Sequence, residues 1–166
     1  MKFALFYFSK TGHTKEMAEK IAEGMRRKGC EARLFSVEEP VDAQYVESCR
    51  GLVFGTPTYA GNACWQMVKW LQTDFGTLKP AGKLGGAFAT AHYAQGGLDS
   101  AIMTIINHIL VFGMAVFSGG GSYGKPILHH GPVALDAVEG HYEACKTEFE
   151  LFGERFASKA MELFKD

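Results

Sequence analysis

The feature that most constrains the fold is a unit in which an apolar run leads through a polar, glycine-containing loop into a helix. FALFYF at 3–8 is followed by SKTGHT at 9–14, and apolar residues then recur at helical spacing from Thr14 to Lys28. A run that is continuously apolar, and not alternating, is typical of a strand covered on both faces, as in a parallel sheet. We expect it to be the central strand.

Further apolar runs alternate with predicted helices along the rest of the chain. The remaining strands are predicted at 30–37, 51–55, 84–90 and 114–120. Strands that alternate with helices form parallel sheets through right-handed crossovers, with helices on both faces. The expected fold is therefore a three-layer α/β structure around a five-stranded parallel sheet.

Composition limits the function classes. A length of 166 residues with 47% apolar content predicts a single domain over residues 1–166. The formal net charge of −1 gives no electrostatic footprint for nucleic acid or an anionic membrane. The four cysteines lack the spacing of a metal site and are expected to be free thiols, which favours a cytoplasmic protein without a bound metal.

Three polar loops are predicted at one edge of the sheet. They occupy 9–14, 56–63 and 91–97, each directly after a predicted strand. In open parallel sheets the carboxyl ends of the strands form the crevice in which ligands bind. The first loop combines hydroxyl groups with a helix N-terminus, which suits a single terminal phosphate. In the simpler alternative, Thr11 or Thr14 only caps the helix. For Thr14 we expect a role through the phosphate and not through the fold.

The second and third loops indicate a planar ligand. The second supplies Tyr59 and Asn62, and the third supplies His92 and Tyr93, so a flat, hydrogen-bonding heterocycle would fit between them. A later stretch, GGGSYG at 119–124, has the form of a dinucleotide fingerprint but runs into Pro126 and not into a helix. We expect this stretch to be an active-site or interface loop.

Two of these segments resemble a known family. FYFSKTGHTKEMA resembles the phosphate loop of flavodoxin-like proteins, and GLVFGTPTYAGNACWQMVKWLQ resembles the corresponding stretch of NAD(P)H:quinone oxidoreductases of the Trp-repressor-binding-protein (WrbA) type. The segments AFATAHYAQGG and GSYG match later loops of that family. The resemblance implies a flavodoxin-like fold with strand order 2-1-3-4-5.

The resemblance also implies FMN as the cofactor, NADH or NADPH as co-substrate, and a small quinone-like molecule as acceptor. The chemistry would be carried by flavin N5, so no catalytic side chain is assigned, and a homo-oligomer is possible. The cofactor-binding residues that it implies are Ser9, Thr11, Gly12, His13, Thr14, Pro57, Thr58, Tyr59, Ala60, Gly61, Asn62, Thr90, Ala91, His92 and Gly97.

Within this family we expect an enzyme, an FMN-dependent oxidoreductase that passes two electrons from NAD(P)H to a quinone-like acceptor. The alternative is a one-electron carrier that docks to redox partners. Near-neutral charge favours the enzyme, whereas Tyr93 would favour the carrier if its ring covered the flavin. VFGM at 111–114 stands where the oxidoreductases commonly have His-His-Gly-Met. That position is expected beside the flavin, so Phe112→His should raise the quinone rate.

Overall fold

The computed structural model describes residues 1–165. Its strands are β1 (Lys2–Tyr7), β2 (Glu31–Ser36), β3 (Gly51–Tyr59), β4 (Asn62–Ala63), β5 (Leu84–Ala91), β6 (Ala115–Val116) and β7 (Val133–Leu135). Its helices are α1 (His13–Arg27), α2 (Ala43–Ser48), α3 (Trp65–Thr73), α4 (Leu98–Val111), α5 (His141–Ala144) and α6 (Lys146–Leu163). Short 3₁₀ turns cover Phe75–Leu78 and Gly121–Tyr123.

The main sheet is parallel, in the order β2-β1-β3-β5-β6, and β7 also pairs in parallel with β5. This confirms the predicted α/β fold. The order also matches the predicted 2-1-3-4-5 once the short strand β4, which pairs only with β3, is left out of the numbering. The fifth position is divided, because β6 pairs with the start of β5 at Leu84 and β7 pairs with its end at Ala91. The prediction of one continuous strand over 114–120 is therefore wrong. The chain leaves the sheet after Val116 and returns to it at Val133.

Each face of the sheet carries its own apolar core, as expected for strands in which apolar and polar residues do not alternate. On one face α1 and α6 cover residues that include Phe3, Leu5 and Phe88. The opposite face packs Phe6 and Phe54 of the sheet against residues of α2, α3 and α4. The two helices of the first face cross closely: a Cβ added at Gly24 would lie 1.9 Å from the Glu150 carbonyl oxygen.

Two other segments differ from the sequence predictions. The second polar segment is not all loop, because β3 continues through Thr56, Pro57 and Thr58 to Tyr59. Its parallel pairing with β5 extends to Pro57 opposite Thr90, which carries these polar residues on a strand. The apolar stripe from Tyr142 to Leu163 in the sequence predicts one final helix, which the structure divides at Cys145 into α5 and α6.

In residues 1–165 no helix combines the length and apolar character needed to cross a lipid bilayer. All four cysteines are buried, free thiols. Burial raises the pKa of the Cys145 thiol to about 11 and raises that of Cys64 as well, so both thiols stay protonated at neutral pH.

Candidate functional site

The turn from β1 into α1 leaves the start of the helix uncapped by side chains. Gly12 is the N-cap, in a left-handed conformation with φ of 98°, and no side chain accepts a capping hydrogen bond there. The Gly12 amide donates to Ser9 Oγ at 3.1 Å, which closes the loop on itself. The capping role considered for Thr11 or Thr14 is therefore wrong. The first amides of α1 have no acceptor within the helix and form a potential anion site.

Thr14 and Thr90 form the floor beneath this helix start. Their side-chain oxygens lie 2.9 Å apart in a hydrogen bond between β5 and α1. Both residues are buried, with exposures of 2% and 6%. The Thr14 hydroxyl thus has a partner within the chain, which predicts a contribution to the fold in addition to any contact with a phosphate.

The end of β3 supplies one wall. Thr58 lies there with a buried Oγ1 that has no hydrogen-bond partner among residues 1–165. An unpaired buried hydroxyl costs free energy unless a ligand or water satisfies it. The neighbouring Tyr59 is 42% exposed, and partial burial raises the pKa of its phenol.

A hairpin follows this wall. Tyr59 pairs antiparallel with Asn62, so Ala60 and Gly61 form a two-residue turn in which φ is positive at both positions. Asn62 Oδ1 accepts hydrogen bonds from the Ala63 amide at 2.8 Å and from the Thr104 hydroxyl at 2.6 Å. The hairpin is thereby anchored to α4.

The second and third loops touch through glycine backbone. A Cβ added at Gly97 would lie 2.4 Å from the Gly61 carbonyl oxygen, so this approach requires glycine. Gly97 also has φ of 90° and serves as the N-cap of α4. Gly61 and Gly97 therefore hold the two loops together without lining the space between them.

The three loops line an open crevice. Of the residues implied by the resemblance, Ser9, Gly12, Ala60, Gly61, Asn62 and Gly97 lie in its supporting turns. The lining consists of Lys10, Thr11, His13, Thr14, Pro57, Thr58, Tyr59, Thr90, Ala91, His92 and Asp136.

Lys10 and Asp136 are the lining residues that the sequence analysis did not identify. Lys10 lies within the first loop, and its positive charge beside the hydroxyl groups is a sequence signal for an anion site. Asp136 directly follows β7, 44 residues after His92 in the chain. Asp136 Oδ2 lies 2.8 Å from His13 Nδ1, and Oδ1 contacts His92 Nδ1. No sequence signal marked it, because β7 itself was not predicted.

Tyr142 in α5 and Lys146 in α6 support the first loop and the start of α1. The Tyr142 ring packs against the His13 ring at a centroid distance of 4.9 Å. Its hydroxyl donates to Glu16 Oε2 at 2.6 Å. Hydrogen bonds from Lys146 and Tyr142 lower the pKa of the Glu16 carboxyl, whereas burial and that carboxylate raise the pKa of the Tyr142 phenol. The start of α1 is thus tied to α5 and α6.

The comparison with known proteins decides the family. A family model described as Flavodoxin matches residues 5–103, which is more than half of the chain. The chain belongs to the flavodoxin family. Its relatives include a flavodoxin from Clostridium saccharobutylicum, 39% identical over 165 residues that cover 99% of this chain and 100% of the relative.

Other relatives of this flavodoxin-family chain are named as enzymes. An NAD(P)H dehydrogenase (quinone) from Cupriavidus metallidurans is 30% identical over 84% of this chain and 78% of the relative. Among solved structures, the flavodoxin, WrbA-like protein from Agrobacterium tumefaciens aligns with a TM-score of 0.76 at 22% identity, covering 97% of this chain and 98% of that one. That structural likeness supports the fold.

Two aromatic residues lie outside the crevice lining. The Tyr93 side chain is 70% exposed and does not line the crevice. Phe112 packs edge-on against Phe75 at 5.1 Å, near β6, which pairs with the start of β5. Phe112 is not among the residues that line the crevice. The structure therefore gives no support to the expectation that it lies beside a flavin of the same chain.

The glycine-rich stretch at 119–124 also lies outside the crevice lining. The Arg155 guanidinium on α6 donates hydrogen bonds to the carbonyl oxygens of Gly124 at 3.2 Å and Pro126 at 3.1 Å. This interaction fixes the loop against α6. Within residues 1–165 no cluster of histidine, cysteine, aspartate and glutamate has the arrangement of a metal site.

Proposed function

We propose that this protein binds FMN in the crevice and carries electrons between redox partners. The observation that carries the proposal is the uncapped start of α1, which opens beside the unpartnered hydroxyl of Thr58. The helix start offers free amides to a phosphate, and the buried hydroxyl offers a hydrogen bond that no protein group satisfies. The residues present therefore fit a ligand that combines a terminal phosphate with polar groups along its length.

Each part of the crevice has a role in this proposal. Thr11, His13 and the first amides of α1 hold the phosphate, and Thr58 bonds to the ribityl chain or the ring. Tyr59 and Ala91 border the ring, and His92, which shares the Asp136 carboxylate with His13, lies on the phosphate side. FMN itself supplies the electron-transfer chemistry when bound. The chain orients the cofactor, and its apolar lining shields part of it from water.

The degree of identity to the relatives favours a carrier over an enzyme. A flavodoxin is 39% identical over its full length, whereas the relatives named as quinone dehydrogenases are 29% and 30% identical. A carrier needs no substrate pocket beyond the flavin site. We further propose that residues 1–166 form one FMN-binding unit that acts in the cytoplasm on a protein partner.

The second candidate is an FMN-dependent transfer of two electrons from NADH or NADPH to a quinone-like acceptor. Two observations favour it. Tyr93 is 70% exposed, so it leaves the crevice open to a second ligand. The net charge of −1 also provides little of the electrostatic steering that speeds the docking of carrier proteins.

Cofactor binding is tested first by titration. Purified protein freed of bound flavin is titrated with FMN, and binding is followed by quenching of flavin fluorescence. We expect stoichiometric binding of FMN. If FMN does not bind, the whole proposal fails.

The loaded protein is then mixed with NADH or NADPH without oxygen, while the visible flavin absorbance is followed. A carrier retains the oxidised spectrum with either nucleotide and is reduced only by dithionite. If NADH or NADPH bleaches the flavin within seconds and a small quinone restores it, the oxidoreductase replaces the carrier.

A further inference from the structure

The Asp136 carboxylate joins two loops of the crevice. One oxygen lies 2.8 Å from His13 Nδ1 in the first loop, and the other contacts His92 Nδ1 in the third. The Asp136 side chain is only 17% exposed, whereas that of His92 is 71% exposed. The carboxylate is thus the more buried partner of the pair, and its contact with Nδ1 fixes the orientation of the exposed His92 ring.

Both imidazole rings keep one nitrogen free. Across residues 1–165, the hydrogen bonds of His13 and His92 involve Nδ1, and Nε2 of neither ring has a protein partner. A ring fixed through Nδ1 presents Nε2 as its remaining polar atom. The Tyr142 ring further restrains His13 by packing against it. The two histidines are therefore oriented before any ligand binds.

We propose that Asp136 is a positioning residue that orients His13 and His92 toward the phosphate of the cofactor and thereby sets a preference for FMN over riboflavin. The inference rests on the proposed FMN site. Phosphate oxygens are acceptors, and a positioned imidazole N–H donates to them in a charge-assisted hydrogen bond. Riboflavin lacks the phosphate and would gain nothing from these rings.

The negative charge of Asp136 allows an orienting role to be distinguished from simple repulsion of the phosphate. A carboxylate near a phosphate repels it, so removing that charge would by itself strengthen FMN binding. Losing the orientation of the two histidines would weaken FMN binding. The two effects have opposite signs in Asp136→Asn, which keeps the shape of the side chain but replaces one acceptor oxygen by a donor amide.

The experiment compares the dissociation constants of FMN and riboflavin for the wild-type protein and Asp136→Asn, both freed of flavin. We expect FMN binding to weaken about tenfold, the scale of a lost hydrogen bond to a charged group, and riboflavin binding to change by less than about twofold. Asp99→Asn is the matched control, because the Asp99 side chain is 85% exposed on α4 and outside the crevice lining. It should leave both constants unchanged.

Three results would overturn the inference. FMN binding that tightens would make Asp136 only a repelling charge, and equal weakening for both flavins would make it only a structural residue. Two dissociation constants that both stay at their wild-type values would give it no role. Failure of the wild-type protein to bind FMN would instead refute the proposed function.

Two further measurements test the inference without relying on Asp136→Asn in the wild-type background alone. In a His13→Gln/His92→Gln background, Asp136→Asn should produce no additional loss of FMN binding, and a full additional loss would contradict the inference. In the wild-type protein, the ¹⁵N signals of the two Nε2 atoms should shift when FMN binds and stay in place when riboflavin binds. Equal shifts with both ligands would also overturn it.

Discussion

At the scale of single residues, the hydrogen bond between Thr14 and Thr90 makes a prediction that separates folding from binding. Thr14→Val leaves the buried Thr90 hydroxyl without its partner at 2.9 Å. We expect the free energy of unfolding of the flavin-free protein to fall by about 1–3 kcal/mol, measured by urea denaturation.

The control is Thr14→Val/Thr90→Val, which removes both polar groups and should recover part of that loss. If Thr14→Val leaves the stability of the flavin-free protein unchanged and weakens only FMN binding, the buried bond contributes nothing to the fold.

Phe112 gives a second prediction at the residue scale. Because its ring packs on Phe75 and does not line the crevice, Phe112→His should not change the reduction potential of bound FMN. We expect it to lower the free energy of unfolding by about 1–2 kcal/mol through lost packing. Val111→His, at a neighbouring position that is 83% exposed, should be close to neutral. A faster quinone reaction in Phe112→His would show that Phe112 acts on the flavin.

At the scale of elements, the hairpin between β3 and β4 contains a strained residue. Ala60 has a positive φ of 49°, a conformation that side chains with a Cβ disfavour. Ala60→Gly should therefore raise the free energy of unfolding by about 0.5 kcal/mol in thermal or urea denaturation.

Gly61→Ala provides the opposite change in the same turn. Since φ of Gly61 is 75°, this variant should be less stable than the wild-type protein, by about 1 kcal/mol. Equal effects of the two substitutions would argue against the two-residue turn.

The tie between α1, α5 and α6 makes stability depend on pH. Hydrogen bonds from Lys146 and Tyr142 lower the pKa of Glu16 below its ordinary value of 4.5. A lowered carboxyl pKa contributes stability above the unfolded pKa that is lost as pH falls through the folded pKa. Glu16→Gln should be less stable than the wild-type protein at pH 7, by under about 1 kcal/mol because the pair is partly exposed.

That difference should shrink as the pH falls through the lowered pKa of the folded carboxyl, because the wild-type group then becomes protonated. Tyr142→Phe removes one of the two donors and should give a smaller pH dependence than the wild-type protein. A stability difference between Glu16→Gln and the wild-type protein that is the same at pH 3 and pH 7 would contradict the assignment.

The sequence predicts most elements because their cause is local. The continuous apolar run at 3–8 is typical of a strand buried on both faces, and the spacing of Met17, Ile21 and Met25 indicates the inner face of α1. The extension of β3 through Pro57 depends on pairing with β5, which the polar character of 56–59 conceals. The strand β7 has three residues, too few to form a recognisable pattern, and it is defined by its pairing with the end of β5.

At the scale of the whole molecule, the topology explains both the success and the failure of the site prediction. Loops after β1, β3 and β5 meet because parallel strands end at one edge, so the crevice follows from the strand order. Asp136 and Tyr142 reach the same place only after the chain has left the sheet at Val116 and returned. Their contribution depends on long-range packing that no local motif encodes.

The proposed function requires that FMN binds in this one crevice and exchanges single electrons with a partner. The most direct test is an anaerobic potentiometric titration of the FMN-loaded protein, followed by visible absorbance. We predict two separate one-electron steps, at least one of them displaced from the behaviour of free FMN, because groups around a bound cofactor tune its potential. A single two-electron step, at the potential of free FMN or elsewhere, would contradict the carrier.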